Sequence, residues 1–138
     1  MIKEDCLFCK IAKGEIHSAT AYEDSHFTVI LDVNPATKGH CLIIPKEHFD
    51  NIYDLDGETA GKLFALATCI ARAMKDALKC DGLNLVQNNG EVAGQTVNHF
   101  HLHLIPRYEG DGLNLNWPQQ EISGEQLEEI RQSIKKSI

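Results

Sequence analysis

The stretch His99-Phe100-His101-Leu102-His103-Leu104-Ile105-Pro106 places a histidine at every second position. Phe100, Leu102 and Leu104 fill the positions between and beyond them. A repeat of two is that of a β-strand, whose successive side chains point to opposite faces. The pattern predicts a strand with three imidazoles on one face and an apolar set turned into a core. Same-face neighbours stand roughly 6.5–7 Å apart, which separates His99 from His103 by roughly 13 Å. Zinc–nitrogen bonds are about 2 Å long, so the three rings do not converge on one ion. They form a row of separate groups along one side of a pocket. A single strand histidine is most often a half-buried polar residue. Three in strict alternation spend polar side chains on a whole strand face, which packing does not explain.

The chain has 138 residues, enough for one domain (1–138) with its own core. Apolar residues make up 43% and charged residues 24%, an ordinary globular composition. The net charge of −7 argues against an extended nucleic-acid or anionic-membrane surface, but not against one nucleotide held by local donors. No apolar run approaches the roughly 18 residues of a membrane span, and the charged start Met1-Ile2-Lys3-Glu4-Asp5 is unlike a signal peptide. The expectation is a cytoplasmic protein with no membrane or nucleic-acid partner. Five cysteines are an odd count. In a reducing compartment they are thiols or metal ligands, not a disulfide frame.

Residues 5–13 predict a short helix, with Asp5 as N-cap and Gly14 as stop. It carries Cys6-x-x-Cys9, whose two-residue gap lets both thiolates reach one tetrahedral zinc. There is no second CxxC, so the remaining ligands of such a site must be histidines. Ordinary half-buried thiols are the plainer alternative. Residues 19–23 and 27–31 predict a hairpin, with His17 and His26 at solvated turns. Gly39 opens and Pro45 closes a buried strand from Cys41 to Ile44. Residues 58–79 carry Leu63, Leu66, Ala67, Ile70, Met74 and Leu78 at helical spacing. A strand at 82–87 and a Gly-rich loop at 88–97 lead into the histidine stretch. Placed there, that loop supplies backbone N–H groups, a hydroxyl and amides that suit a phosphate. A short amphipathic helix from Glu125 to Lys136 follows a tail without periodicity, and Ser123 to Gln126 offer a capping box.

His99-x-His101-x-His103 followed by apolar residues resembles the signature of the histidine triad (HIT) family of nucleotide hydrolases and transferases. Further matches run over nearly the whole chain. The layout is similar to the Hint-like branch, with the diadenosine polyphosphate hydrolases as the nearer alternative. The resemblance implies an α+β fold: about five antiparallel strands with the long helix on one face, flanked by short terminal helices. It implies a homodimer built by that helix and a neighbouring strand. It implies that Asp32 binds the ribose hydroxyls, for which two acceptor oxygens suit a diol, and that Ile30 and Val33 contact the base. A plain turn cap is the other reading of Asp32. Asn88, Gly94, Gln95 and Thr96 match positions at the phosphate and leaving group. His40 resembles the fourth histidine of the active-site cluster. His48 is similar to a position that completes the zinc site in members carrying the CxxC. His99 is then the expected fourth ligand, because a neighbour at strand spacing can be ligated while His101 stays free.

The chemistry expected from these residues is nucleophilic catalysis. His101 attacks the α-phosphorus of a purine nucleoside phosphoramidate or related nucleotide, giving a nucleotidyl-histidine that water resolves. The other ring nitrogen keeps its proton on an acceptor, which fixes the tautomer. His103, with a pKa near neutrality, delivers a proton to the leaving amine, and Thr96 supports the departing group. No acidic cluster for Mg²⁺ stands near the loop, so N–H groups and imidazoles carry the charge, in keeping with a family whose chemistry needs no metal. The zinc is structural. Two readings of other classes stand beside this one. A metal-dependent oxygenase or isomerase would use His99 and His101 as ligands and needs a nearby carboxylate, which Pro106 and Arg107 do not offer. A nucleotide sensor without turnover would use the same residues.

Overall fold

Two apolar runs form the centre of the sheet, and the rest of the chain is placed by what covers their faces. A computed structural model describes residues 3–138. The elements are α1 (Leu7–Ala12), β1 (Thr20–Glu23), β2 (Phe27–Leu31), β3 (Cys41–Pro45), α2 (Gly57–Leu78), β4 (Gly82–Val86), β5 (Leu102–Arg107) and α3 (Gly124–Ser137). The five strands form one antiparallel sheet in the order β1-β2-β3-β5-β4. The expected α+β architecture is present, with boundaries within a residue or two for most elements.

Both faces of β2 and β3 are covered, which is why these strands are apolar except for the buried Thr28 and do not alternate. Val29, Cys41 and Ile43 face α2, packing with Leu63, Ala67, Met74 and the β5 residues Leu102 and Leu104. Ile30, Leu42 and Ile44 face the other way, beneath Phe8 of α1. α2 begins where the Asp56 carboxylate accepts the Thr59 N–H at 2.9 Å, and ends at Lys79 in the left-handed region.

Two expectations are corrected. Asp5 does not cap α1. Cys6 is the N-cap, its sulfur accepting the Cys9 N–H at 3.4 Å. Asp5 stands one residue too early to reach that amide. The predicted strand from His99 begins only at Leu102. The His99 carbonyl accepts from the His101 ring, and the Phe100 N–H donates to the Phe49 carbonyl, so neither group is available to a strand ladder. The two-sided facing survives: Phe100, Leu102 and Leu104 lie in the α2 core, and His103 lies on the opposite face, paired in register with Leu42.

Candidate active site and metal centre

The CxxC turn brings Cys6 and Cys9 against His48, just past β3, and His99, just before β5. The four ligand atoms, two Sγ and two Nδ1, lie within 4.8 Å of one another. Cys6 and Cys9 Sγ stand 3.3 and 3.4 Å from His99 Nδ1, and the two Nδ1 atoms are 3.1 Å apart. A tetrahedral zinc with ordinary bond lengths requires about 3.5 Å for S···N and about 3.3 Å for N···N. The donor set therefore fits. Each imidazole is also held from behind. His99 Nε2 donates to the Pro45 carbonyl at 2.8 Å and His48 Nε2 to the Asp50 carboxylate at 2.6 Å. Both contacts leave the lone pair on Nδ1, facing the sulfurs.

His101 carries no part of that cluster. Its Nδ1 lies 2.7 Å from the His99 carbonyl. A carbonyl only accepts, so Nδ1 bears the proton and Nε2 holds the free lone pair. The ring is 7% exposed and meets the edge of Phe8 at 4.9 Å between centroids. Burial lowers its proton affinity against the opposing effect of the carbonyl bond, which keeps the nucleophilic form present at neutral pH.

A second chain of bonds orients His103. The Ala36 N–H donates to His40 Nδ1 at 3.0 Å, so the proton of His40 sits on Nε2. That Nε2 donates to His103 Nδ1 at 2.9 Å and lies 3.7 Å from Asp32 Oδ2. The proton of His103 is thereby assigned to its Nε2. The expected near-neutral pKa of His103 is corrected. Burial first, then repulsion from His101 and His40, pushes it down to about 4. At neutral pH the ring is therefore uncharged with its one proton on Nε2, and an anion placed among the rings would raise its proton affinity.

Ile30, Asp32, Val33, Thr96, His101 and His103 line one cavity of about 450 Å³, a size typical of small-molecule sites. Asp32 does two jobs: Oδ1 accepts the Asn34 N–H at 2.9 Å and shapes the turn, while Oδ2 faces His40. Asn88, Gly94 and Gln95 stand outside that lining. The Gln95 amide is committed to the loop itself, bonding the Asp50 and Val97 carbonyls and the Gly90 N–H. It fixes the loop's shape and does not offer its side chain to a ligand. Gly94 has φ +97, and a Cβ added there would stand 3.5 Å from the Asn88 side-chain nitrogen.

Sequence reasoning missed Phe8, Leu7 and Ile11, which α1 brings to the apolar end of the cavity. It also missed Asp50 behind His48, and the Ala36 amide, for which no sequence signal exists. The carboxylate demanded by the oxygenase reading is present as Asp32, yet the cluster speaks against it. His99 belongs with the cysteines, and His40 and His103 share a proton at 2.9 Å where two metal ligands would each present a lone pair.

The HIT domain model matches residues 13–110. A HIT family protein from Bacillus anthracis is 46% identical, with a TM-score of 0.92 and 98% of both chains covered. A Zn-bound histidine triad family protein from Mycobacterium smegmatis is 39% identical, with a TM-score of 0.76, covering 97% of this chain and 98% of that one. The adenosine 5'-monophosphoramidase HNT1 of Saccharomyces cerevisiae is 40% identical over 130 residues, 94% of this chain and 80% of the yeast protein.

Proposed function

Since the chain belongs to the HIT domain family, we propose that it hydrolyses nucleotides at the α-phosphate, with purine nucleoside 5'-phosphoramidates as the substrate class. The observation that carries this reading is the tautomer of His101, whose free Nε2 borders a cavity that also holds the Asp32 carboxylate. The base lies against Ile30 and Val33, and the ribose hydroxyls donate to Asp32. His101 Nε2 attacks phosphorus, the bond to the leaving amine breaks, and His103, protonated once the phosphate anion sits among the rings, gives that amine a proton from Nε2 and returns to the neutral ring. Water then cleaves the nucleotidyl-histidine and releases the nucleoside monophosphate. Thr96 stands at the rim to support the departing group, and His40 holds His103. The similarity to the yeast phosphoramidase supports the choice of leaving group.

Cys6, Cys9, His48 and His99 are proposed to hold a structural zinc. Zinc bound there supplies a closed cross-link between α1 and the ends of β3 and β5. A homodimer is proposed from β4, an edge strand exposing Leu85, and from Phe64 on the outer side of α2. A cytoplasmic setting is proposed from its five free cysteines. Among the described residues no helix is long and apolar enough to cross a membrane.

Incubation with adenosine 5'-phosphoramidate, with and without chelator, tests the reading. Release of AMP in both arms is expected. Binding without release would make the protein a sensor, and immediate loss of turnover with chelator would place metal in the chemistry.

A further inference from the structure

The cavity that holds Asp32 and His101 does not end at Ile30. A second cavity of about 180 Å³ continues it, with Ile11, Ile16, His17 and Ser18 in the walls of both. The further cavity adds Thr20, Glu23 and Thr28, so the apolar walls give way to hydroxyls and a carboxylate. Thr28 is 3% exposed. Its neighbours Phe27 and Val29 face α2, so strand alternation turns Thr28 to the cavity side with Ile30. Among the described residues the Thr28 hydroxyl makes no hydrogen bond, yet none of their fully buried side-chain oxygens lacks a partner. The hydroxyl is therefore open to the cavity and not sealed in the core. Valine would fill the same space, and a buried hydroxyl without a partner costs free energy. The position calls for a polar ligand.

β2 acts as a ruler for that ligand. The Asp32 N–H still bonds the His40 carbonyl, which continues the ladder one residue past Leu31. Asp32, Ile30 and Thr28 follow at same-face spacing, so Thr28 stands roughly 6.5–7 Å beyond Ile30 and roughly 13 Å from Asp32. A nucleoside anchored by its ribose at Asp32 and lying along Ile30 carries its base edge toward Thr28. We propose that the Thr28 hydroxyl hydrogen-bonds the exocyclic group at C6 of a purine and so sets base specificity. A hydroxyl both donates and accepts, so it takes a 6-amino or a 6-oxo group. The Ser18 and Thr20 hydroxyls, 3.0 Å apart, keep one proton free beside it. Glu23, paired in register with Thr28, has its charge met by Lys46 at 2.7 Å. A phosphate would find that carboxylate and no lysine or arginine on this wall, which leaves the further cavity to the base. The inference deepens the nucleotide reading above and rests on it.

Calorimetric titration of the full chain with AMP, IMP and purine riboside 5'-monophosphate, which lacks the group at C6, tests it. Thermal melts report that each variant is folded. AMP and IMP should bind roughly three- to tenfold tighter than the unsubstituted nucleotide, the worth of one neutral hydrogen bond. Thr28→Val should bring all three to the affinity of the unsubstituted one, and Thr28→Ser should restore the difference. Equal affinity of the unaltered protein for all three overturns the base-edge site and leaves the nucleotide reading standing. So does a Thr28→Val variant that keeps the difference, or one that weakens all three alike, as a residue that only shapes the wall would. A protein that binds none of the three overturns both.

Discussion

His101 owes its readiness to a carbonyl two residues behind it. The bond from Nδ1 to the His99 carbonyl fixes the proton, and burial keeps the ring neutral. In the proposed mechanism, removing this ring deletes the covalent route and leaves the cavity walls in place. His101→Ala should therefore lower kcat by roughly 10³-fold or more with nucleotide Kd little changed, measured by single-turnover kinetics and calorimetry. Asp32→Ala should raise KM for ribonucleotides and abolish discrimination against 2'-deoxy analogues, a loss of roughly 1.5–3 kcal/mol. If the unaltered protein already binds both alike, Asp32 is not the ribose anchor. At this scale the alternation of histidines was legible because a period of two survives in the facing even where ladder bonds are lost. The tautomers were not, because the deciding partners, the His99 and Pro45 carbonyls and the Ala36 amide, are backbone groups that carry no residue-specific signal.

Among the elements, the turn from β2 to β3 sets the distance between Asp32 and the histidines. Thr37 Oγ1 ties it to the Pro106 carbonyl on β5, and Gly39 passes directly over Leu78 of α2. Gly39 has φ +92, and an added methyl would collide with the Leu78 side chain. Gly39→Ala should cost about 1–3 kcal/mol in denaturant unfolding, and an unchanged midpoint would show that the turn yields freely. α1 is too short to be stable alone, and the Cys6/Cys9 pair with His48 and His99 gives it an anchor. Cys6→Ser with Cys9→Ser should remove close to one zinc per chain by metal analysis and lower Tm by roughly 10 °C, as expected for a few kcal/mol of lost binding. Full zinc content in that variant would place the metal elsewhere. The CxxC alone announced half of this centre. The other half comes from residues 39 and 90 positions further along the chain than Cys9, which the antiparallel pairing of β3 and β5 brings together.

For the whole molecule, a row of buried neutral imidazoles makes stability depend on pH. His103 titrates near 6.5 when unfolded and at about 4 when folded, and His101 and His40 are lowered in the same direction. Between those values the unfolded chain takes up protons that the folded chain does not. Their full contribution is present above pH 6.5 and is lost as pH falls toward 4. Tm should drop across that window, and His103→Asn should flatten the drop. A Tm that rises on acidification would contradict the burial assigned to these rings. The long amphipathic α2, the doubly covered β2 and β3, and the capping box of α3 were readable from spacing. The most direct measurement is intact-protein mass spectrometry of a reaction with adenosine 5'-phosphoramidate quenched during turnover, followed by peptide mapping. One AMP should be found attached per active site, on the peptide carrying His101, and absent from His101→Ala. Rapid turnover by a His101→Ala variant, or an adduct on any other residue, would contradict His101 as the nucleophile.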